Sequence, residues 1–345
     1  MKTLIVGGGL SGLALAEALQ ARGEDYLIVE ARSRFGGRIM TMQQGPAHFD
    51  MGPAWFWPGQ PRMDALLTRL GLERFEQHSD GILTFENEQG QVQRGRGHAS
   101  MQGSWRVQGG LTALTDALAN RLPANRKRMN AQVAALHRSD TGVTAHLSDG
   151  EKMRADRVVL ALPPRVAATF NYVPALPPKT LQTMQNVPTW MAGQAKAMAV
   201  YDTPFWRDAG LSGDAISRMG PMVEIHDASP AHSGPYALFG FIGVPPQARG
   251  DVEMLSDQVK AQLGRLFGPA AAKPAALFIK DWATDPRTST RADLAPLYAH
   301  PTYALPTDMA NLWGGELVFA GTEVAPEFGG YLEGALEAAE NVLMA

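Results

Sequence analysis

The stretch TLIVGGGLSGLALAEALQARGEDYLIVE, residues 3–30, decides the fold. Thr3 to Val6 is a short apolar run, fit for a buried parallel strand. It leads directly into Gly7-Gly8-Gly9-Leu10-Ser11-Gly12. Leu13 to Arg22 then repeats apolar residues at helical spacing, and Gly23 stands where a helix C′ residue belongs. Tyr26 to Val29 reads as a second buried strand, closed by Glu30. The pattern predicts a βαβ unit of about 30 residues. In its GxGxxG spacing, Gly7 permits the tight turn, Gly9 lets the backbone approach a pyrophosphate, and Gly12 lets helix and strand pack closely. The helix N-terminus offers free N–H groups and positive dipole to phosphates. Glu30 is placed to accept hydrogen bonds from the adenosine ribose, and its charge disfavours a 2′-phosphate.

Outward from this unit, composition sets bounds. At 345 residues the chain exceeds one typical domain. A net charge of −3 argues against a general nucleic-acid or anionic-membrane binder. The basic runs RGRG (94–97) and RKR (126–128) read as solvated loop faces. The chain has no cysteine, which excludes disulfides, thiolate metal sites and cysteinyl cofactor links. No two of the eight histidines make a HxxxH or HExxH pair, so no metal is expected. The opening MKTLIVGGG is too short and glycine-rich for a signal peptide, and no apolar run reaches the ~20 residues of a membrane span. The expectation is a soluble, cytoplasmic protein.

Further along, residues 62–72 read as a helix and 81–103 as a short β excursion with a turn at NEQGQ. VQGGLTALTDALANRL opens on two glycines and becomes a helix. Residues 142–162 read as strand, SDG turn, strand, then a buried strand stopping at Pro163-Pro164. Between 165 and 285 lie several strands and one amphipathic helix, 252–267, with PALPPK and GVPPQ as connecting loops. LVFA (317–320) is a last buried strand before a closing helix that begins near Tyr331. Leu332, Ala335, Leu336, Ala339, Val342 and Leu343 keep helical spacing there. The fold class is therefore α/β, with a discontinuous Rossmann-like nucleotide-binding domain interrupted by an inserted α+β substrate domain.

The opening motif alone does not separate FAD from NAD. Glu30-Ala31-Arg32-Ser33-Arg34-Phe35-Gly36-Gly37-Arg38 adds a second double-glycine turn just after the ribose-binding strand, with Arg34 or Arg38 to serve phosphate oxygens. A longer cofactor would use such a turn. At this point the chain resembles the flavin-dependent amine oxidases: monoamine oxidases, polyamine oxidases and lysine-specific histone demethylases. The residues that carry the resemblance are GGGLSG (7–12), Glu30, RFGGR (34–38), DMGPAW (50–55), VQGGLTALTDALA (107–119), ALPP (161–164), KAMAVYDTPFW (196–206), Trp282, GTE (321–323) and GGYLEGALEA (329–338).

The resemblance implies roles for these positions. Gly7, Gly9, Gly12 and Glu30 bind the ADP half of FAD, and Gly36, Gly37 and Arg38 meet its pyrophosphate and ribityl region. Gly52, Ala54 and Trp55 line the isoalloxazine, and Val133 meets the adenine edge. Gly321 and Glu323 lie along the ribityl chain, while Gly329, Gly330 and Leu332 flank the ring at the mouth of the last helix. Lys196 matches a lysine that holds water near flavin N5, Trp282 a tryptophan beside the ring, and Tyr331 one wall of an aromatic cage for the substrate amine. It implies domain segments 1–76, 104–170 and 296–345 for FAD, and 77–103 and 171–295 for substrate. Of the aromatics 55–57, at least one is expected to be plain core. Departures also count. With no cysteine, FAD should be non-covalent, and a bond to His48 is not expected. DWATDPRTSTRAD (281–293) has no aromatic beyond Trp282, so the cage has at most one tyrosine. Only about 25 residues separate position 80 from VQGG, so the family's helical insertion is missing, and the cavity should be open or closed by another subunit, as in a homodimer.

The chemistry implied is hydride transfer from the α-carbon of a neutral amine to flavin N5, imine hydrolysis, and reoxidation by O2 or another acceptor. Two other readings remain at this stage. One is a flavin desaturase or oxidase acting on a C–C bond or pyrrolic ring; the other is a flavin-bound scaffold without turnover.

Overall fold

The strand Thr3–Val6 lies in the middle of a five-stranded, all-parallel sheet. Its order is Leu317–Phe319, Arg157–Leu160, Thr3–Val6, Tyr26–Val29, Lys127–Arg128. The computed structural model describes residues 1–295, 297 and 299–344. Thr3–Val6 is buried on both faces, which is why it reads as an unbroken apolar run rather than an alternating one. The chain turns at Gly7, whose φ is +113°, and enters the helix Leu10–Ala21. A Cβ at Gly12 would stand 2.0 Å from the Gly7 carbonyl oxygen, and one at Gly7 would stand 2.5 Å from that of Ala161. Three backbone segments meet there with no room for a side chain.

Behind this sheet, Leu13, Leu19, Leu114, Leu118, Leu336 and Val342 join one core that ties together the helices Leu10–Ala21, Thr112–Arg121 and Leu332–Met344. The last of these is anchored by two buried carboxylates. Glu333 accepts from the Arg62 and Met63 N–H groups, each at 2.9 Å. These are orphan donors in the first turn of the helix Pro61–Leu70, whose own N-cap residue, Gln60, makes no side-chain cap. Glu337 accepts from Glu327 N at 3.0 Å and Phe328 N at 2.9 Å, fixing the loop that precedes Gly329.

A second, seven-stranded sheet runs Ala276–Asp281, Ala195–Tyr201, Tyr236–Ile242, Met222–Asp227, Leu211–Ser217, Ile82–Glu86, Val92–Arg94. It is antiparallel apart from the parallel pair formed by Leu211–Ser217 and Ile82–Glu86. The 81–103 excursion is thus stitched to strands more than a hundred residues later. The helix Val252–Phe267, capped by Asp251 on Met254 N at 2.9 Å, packs Leu255, Val259, Leu263 and Leu266 against Ile225 and Leu238. A four-stranded sheet made by 133–155 and Asn171–Val173 completes the β structure beside two short two-stranded ladders.

The elements expected at 62–72, 252–267 and 317–320 form close to those bounds, and the helix expected within 107–122 runs from Thr112 to Arg121. PALPPK differs. Pro178 sits at the first position of the helix Pro178–Asn186, where a missing N–H costs nothing and a fixed φ favours helix, so the end of the expected loop, Pro178 and Lys179, is a helix start. Among the described residues, no helix is long and apolar enough to cross a membrane, and no three His, Cys, Asp or Glu side chains cluster as metal ligands.

Substituting Gly12→Ala should force apart the first helix and the Gly7 turn. Overpacking of this kind typically costs about 1–3 kcal/mol. A lowered Tm together with reduced flavin absorbance in the purified protein is expected; unchanged values for both would refute the close-packing argument.

Candidate active site

A cavity of about 730 Å³ runs from the glycine turn of the parallel sheet to the face of the seven-stranded sheet. That volume lies within the roughly 300–1,000 Å³ of cofactor and ligand sites. One end is lined by Gly7, Gly9, Leu10, Ser11, Glu30, Arg32, Gly36, Gly37, Arg38 and Val133. Gly9 caps the first helix without any side-chain bond, so that helix keeps free N–H groups for an anion. Glu30 is buried, with its oxygens accepting from Gly8 N and Arg32 N, each at 2.8 Å. The two glycine turns touch: Gly36 N donates to Gly8 O at 2.8 Å, and a Cβ on Gly37 would stand 3.2 Å from Gly9 Cα.

Arg34 does not line the cavity. Its guanidinium donates to the carbonyls of Phe35, Ile39 and Gly37 at 2.8–3.0 Å, bracing the turn from behind, so it has no donor directed at a phosphate. Arg38 lines the cavity and backs onto Glu323. Glu323 is fully buried and has its Oε1 2.6 Å from Arg38 Nη1. That contact is an ion pair by distance alone; neither Glu323 oxygen makes a hydrogen bond of regular geometry, so this carboxylate retains acceptor capacity. Glu323 and Gly12 are set one layer behind the lining, while Gly321, Gly330 and Leu332 belong to it. Gly329 does not: a Cβ there would meet Tyr303 Cβ at 2.4 Å, so its smallness serves packing against Tyr303 rather than cofactor approach. His48 lies on the strand Ala47–Asp50, outside the lining.

At the other end, Gly52, Ala54, Trp55, Trp57, Lys196, Phe241, Trp282 and Tyr331 converge. Phe56, between two lining tryptophans, is plain core. Trp55 is clamped by its indole N–H to Gln77 Oε1 at 2.8 Å, and Gln77 in turn donates to Asp227 O at 2.7 Å. Trp282 is both core and lining: it is buried, and its indole N–H donates to Met51 O at 2.9 Å. Tyr331 stacks on His300 (4.6 Å, 7° between planes) and meets the edge of Trp57 at 6.4 Å. Among the described residues, the aromatic neighbours of Tyr331 are therefore a histidine and a tryptophan. Trp190, another lining residue, meets His300 edge-on at 4.9 Å.

Lys196 is buried on the strand Ala195–Tyr201. Its Nζ donates to Gly52 O and sits 5.5, 4.8 and 5.1 Å from the rings of Trp55, Phe239 and Phe241. Burial pushes its ammonium down to about 8, an effect that the Asp50 carboxylate opposes and the Arg106 guanidinium reinforces. Asp50 is itself pushed up by burial, against hydrogen bonds from Thr41 and Leu111. The pairing of Asp50 with Arg106 had no signal in the sequence, because the two come from separate strands and meet only in the core.

Sheet register extends the site. Lys196 pairs with Phe241, and Phe241 pairs with Glu224, so the three side chains share one face in a row across three strands. Glu224 lines the cavity, and its Oε1 receives Ser100 Oγ and, at 3.0 Å, His226 Nε2. His226 Nδ1 meets Asp214 Oδ1 at 2.6 Å. Burial opposes the imidazolium, yet the Asp214 and Glu224 bonds raise its pKa above the ordinary value. The His226 bond in turn holds Glu224 below the usual carboxylate range, against burial. The alternation Glu224–Ile225–His226 was the available signal: two polar residues two apart on a strand share a face.

The model of the flavin containing amine oxidoreductase family matches residues 10–101 and 98–342, and the chain belongs to that family. A Mycobacterium tuberculosis protein assigned as flavin-containing monoamine oxidase AofH is 26% identical over 445 aligned positions, covering 98% of this chain and 94% of that one. Since this chain has 345 residues, that relative carries segments that are missing here. An L-amino acid dehydrogenase of Synechocystis is 23% identical, with 98% and 93% covered. The structure of a putrescine oxidase bound to putrescine superposes with a TM-score of 0.81 at 21% identity, over 100% of this chain and 99% of that one. The fold is that of the Rossmann-type amine oxidases, and the protein is an FAD-dependent oxidoreductase. The cradle fits FAD: it has two glycine turns that a Cβ would fill, uncapped helix donors, and a buried glutamate with free acceptor capacity.

The lowered Lys196 pKa predicts a pH-dependent stability. The unfolded chain holds the lysine proton up to 10.5 and the folded chain only to about 8. Between these values the unfolded state binds more protons, so the folding free energy of wild type should gain up to about 3 kcal/mol relative to Lys196→Met as pH rises. Denaturant titrations of both proteins at steps from pH 7 to 10 test this; parallel curves would rule it out.

Proposed function

We propose that the protein oxidises the C–N bond of an amine that it binds in the aromatic half of the cavity, above the buried Lys196. The observation that carries this reading is the placement of Lys196, Trp55, Trp282 and Tyr331 around one end of a cavity whose other end is built for a dinucleotide. Bound FAD supplies a hydride acceptor. The chain's own residues do the rest. Gly7, Gly9, Arg38 and Glu30 would hold the dinucleotide, with Arg34 bracing the second turn from behind. Tyr331, Trp57 and Trp282 offer flat faces that fix an amine by packing and by attraction for developing positive charge. Lys196 holds Gly52 O, positioning the turn 50–55 from which Trp55 projects, and its remaining donors are available to water.

Among the described residues the cavity lining at the Tyr331–Trp282 end carries no carboxylate or imidazole to act as general base, since His300 stacks on Tyr331 without joining the lining, so the amine is expected to arrive neutral. We also propose that the parallel sheet with its attached helices is the cofactor domain and that the seven-stranded sheet carries substrate recognition, in the segments 77–103 and 171–295.

The purified protein should be yellow and release its flavin to the supernatant on acid precipitation. A primary amine should bleach it anaerobically, at a rate that rises with pH towards the amine's own pKa. Peroxide on re-aeration would identify O2 as acceptor; its absence with continued bleaching would indicate another acceptor, as in a dehydrogenase. A colourless protein, or one bleached by no amine, would end the proposal.

A further inference from the structure

The seven-stranded sheet has Ala276–Asp281 as an edge strand, and the chain that leaves it, residues 282–294, is pinned to the parallel sheet. It lands on two arginines beyond the carboxyl ends of parallel strands. Arg32, just after Tyr26–Val29, donates to Asp285 Oδ1 at 2.7 Å and to Thr288 Oγ1 at 3.0 Å. Arg165, in the short helix that follows Arg157–Leu160, donates to Asp293 Oδ1 at 2.6 Å. Between these pins, Pro286, Arg287 and Thr288 line the cavity. We propose that segment 282–294 is a cofactor-binding segment contributed by the seven-stranded sheet. It forms the outer wall over the adenosine 5′-phosphate half of FAD, with Arg287 facing that half's negative charge and the Arg32–Asp285 pair holding the wall in place. The inference concerns the cofactor, and it stands whichever substrate is oxidised.

Arg32 fixes which part of the cofactor the segment covers. Its Nη1 lies 3.7 Å from Glu30 Oε1, so Asp285 and Thr288 are held beside the carboxylate that closes the second parallel strand. The segment is also built to keep one shape. Ser289 Oγ donates to Ala192 O at 2.9 Å and to Trp282 O at 2.8 Å, Thr290 and Asp293 form a reciprocal capping box, and Thr288, Ser289 and Asp293 are buried. Burial opposes the Asp285 carboxylate, yet the Arg32 bond holds its pKa below the ordinary value, so the ion pair is intact at neutral pH. Asp285 Oδ1 also accepts from Arg287 N at 3.0 Å, which ties the backbone of Arg287 to the same pin. Three arginines line the cavity: Arg32, Arg38 and Arg287. The first is paired with Asp285 and the second with Glu323. The Arg287 side chain is exposed and has no hydrogen-bond or ion-pair partner among the described residues. Backbone N–H groups at the glycine turns offer only partial charge; a free guanidinium adds a full one, in a fork that fits phosphate oxygens. Arg32 and Asp285 are positioning residues here, because they act through the segment they pin.

The test uses the flavin-loaded enzyme as wild type, Arg287→Ala, Arg287→Lys and Asp285→Asn. Flavin release is followed as the gain in free-flavin fluorescence after dilution. The emptied full-length chain is then titrated with FAD and with riboflavin 5′-phosphate, which lacks the adenosine 5′-phosphate half. Arg287→Ala and Asp285→Asn should each release FAD roughly 10- to 100-fold faster than wild type, the range of one charge-assisted hydrogen bond, and Arg287→Lys should fall between. Affinity for riboflavin 5′-phosphate should stay at the wild-type value, which a merely structural role would not produce. Release of FAD from Arg287→Ala at the wild-type rate overturns the proposal. So does an equal loss of affinity for FAD and for riboflavin 5′-phosphate, which would mark the segment as structural. Arg287 is exposed, so its variants keep the test open should Asp285→Asn fail to fold. None of these readouts needs turnover, so an enzyme that no amine reduces leaves this result intact.

Discussion

Everything at the cofactor end depends on the backbone contact among Gly7, Gly12 and Ala161. The first helix comes so close to its own strand that its free N–H groups open onto the cavity rather than onto protein. The same contact draws in the strand Arg157–Leu160, and with it Leu317–Phe319, whose end delivers Gly321 and Thr322 to the lining. A methyl group at either glycine would separate these segments, and the two halves of the cradle, 300 residues apart in sequence, would no longer face one cofactor.

The aromatic end follows a different logic, that of charge in a dry place. Lys196, Asp50 and Arg106 are each buried, and each is shifted towards its neutral form by that burial. They persist because each has fixed partners: Gly52 O for the lysine, Thr41 and Leu111 for the aspartate, the carbonyls of Ala228 and Ser229 for the arginine. Such satisfied networks add rigidity to the cavity wall they support. The Asp214–His226–Glu224 cluster is a second network on the same sheet, in which the buried Asp214 Oδ2 is left unbonded.

Much of the cofactor half could be read in the chain itself, because it is written in local signals. A glycine spacing, an apolar run and a helical period each act within about 30 residues. Arg34 shows the weakness of that kind of reading, since an arginine beside a glycine turn can brace it as readily as it can bind phosphate, and only its hydrogen bonds decide. Gly329 is similar: its partner, Tyr303, lies 26 residues earlier and is invisible to local pattern. The substrate half was mostly illegible for a related reason. Register between strands places Phe241 and Glu224 beside Lys196, and register is a long-range property. Lys196, Trp282 and Tyr331 were accessible through resemblance, not through periodicity.

The carboxylates of the final helix bear on how the molecule is made. Glu333 satisfies donors of a helix near residue 62, and Glu337 holds the loop that presents Gly330 and Tyr331. Both lie in the last thirteen-residue helix of the described chain. During synthesis the glycine turn emerges roughly 300 residues before its closing wall. A growing chain can therefore have a formed first helix and still lack an enclosed flavin site, so cofactor capture must wait for the segment that carries Glu333 and Glu337.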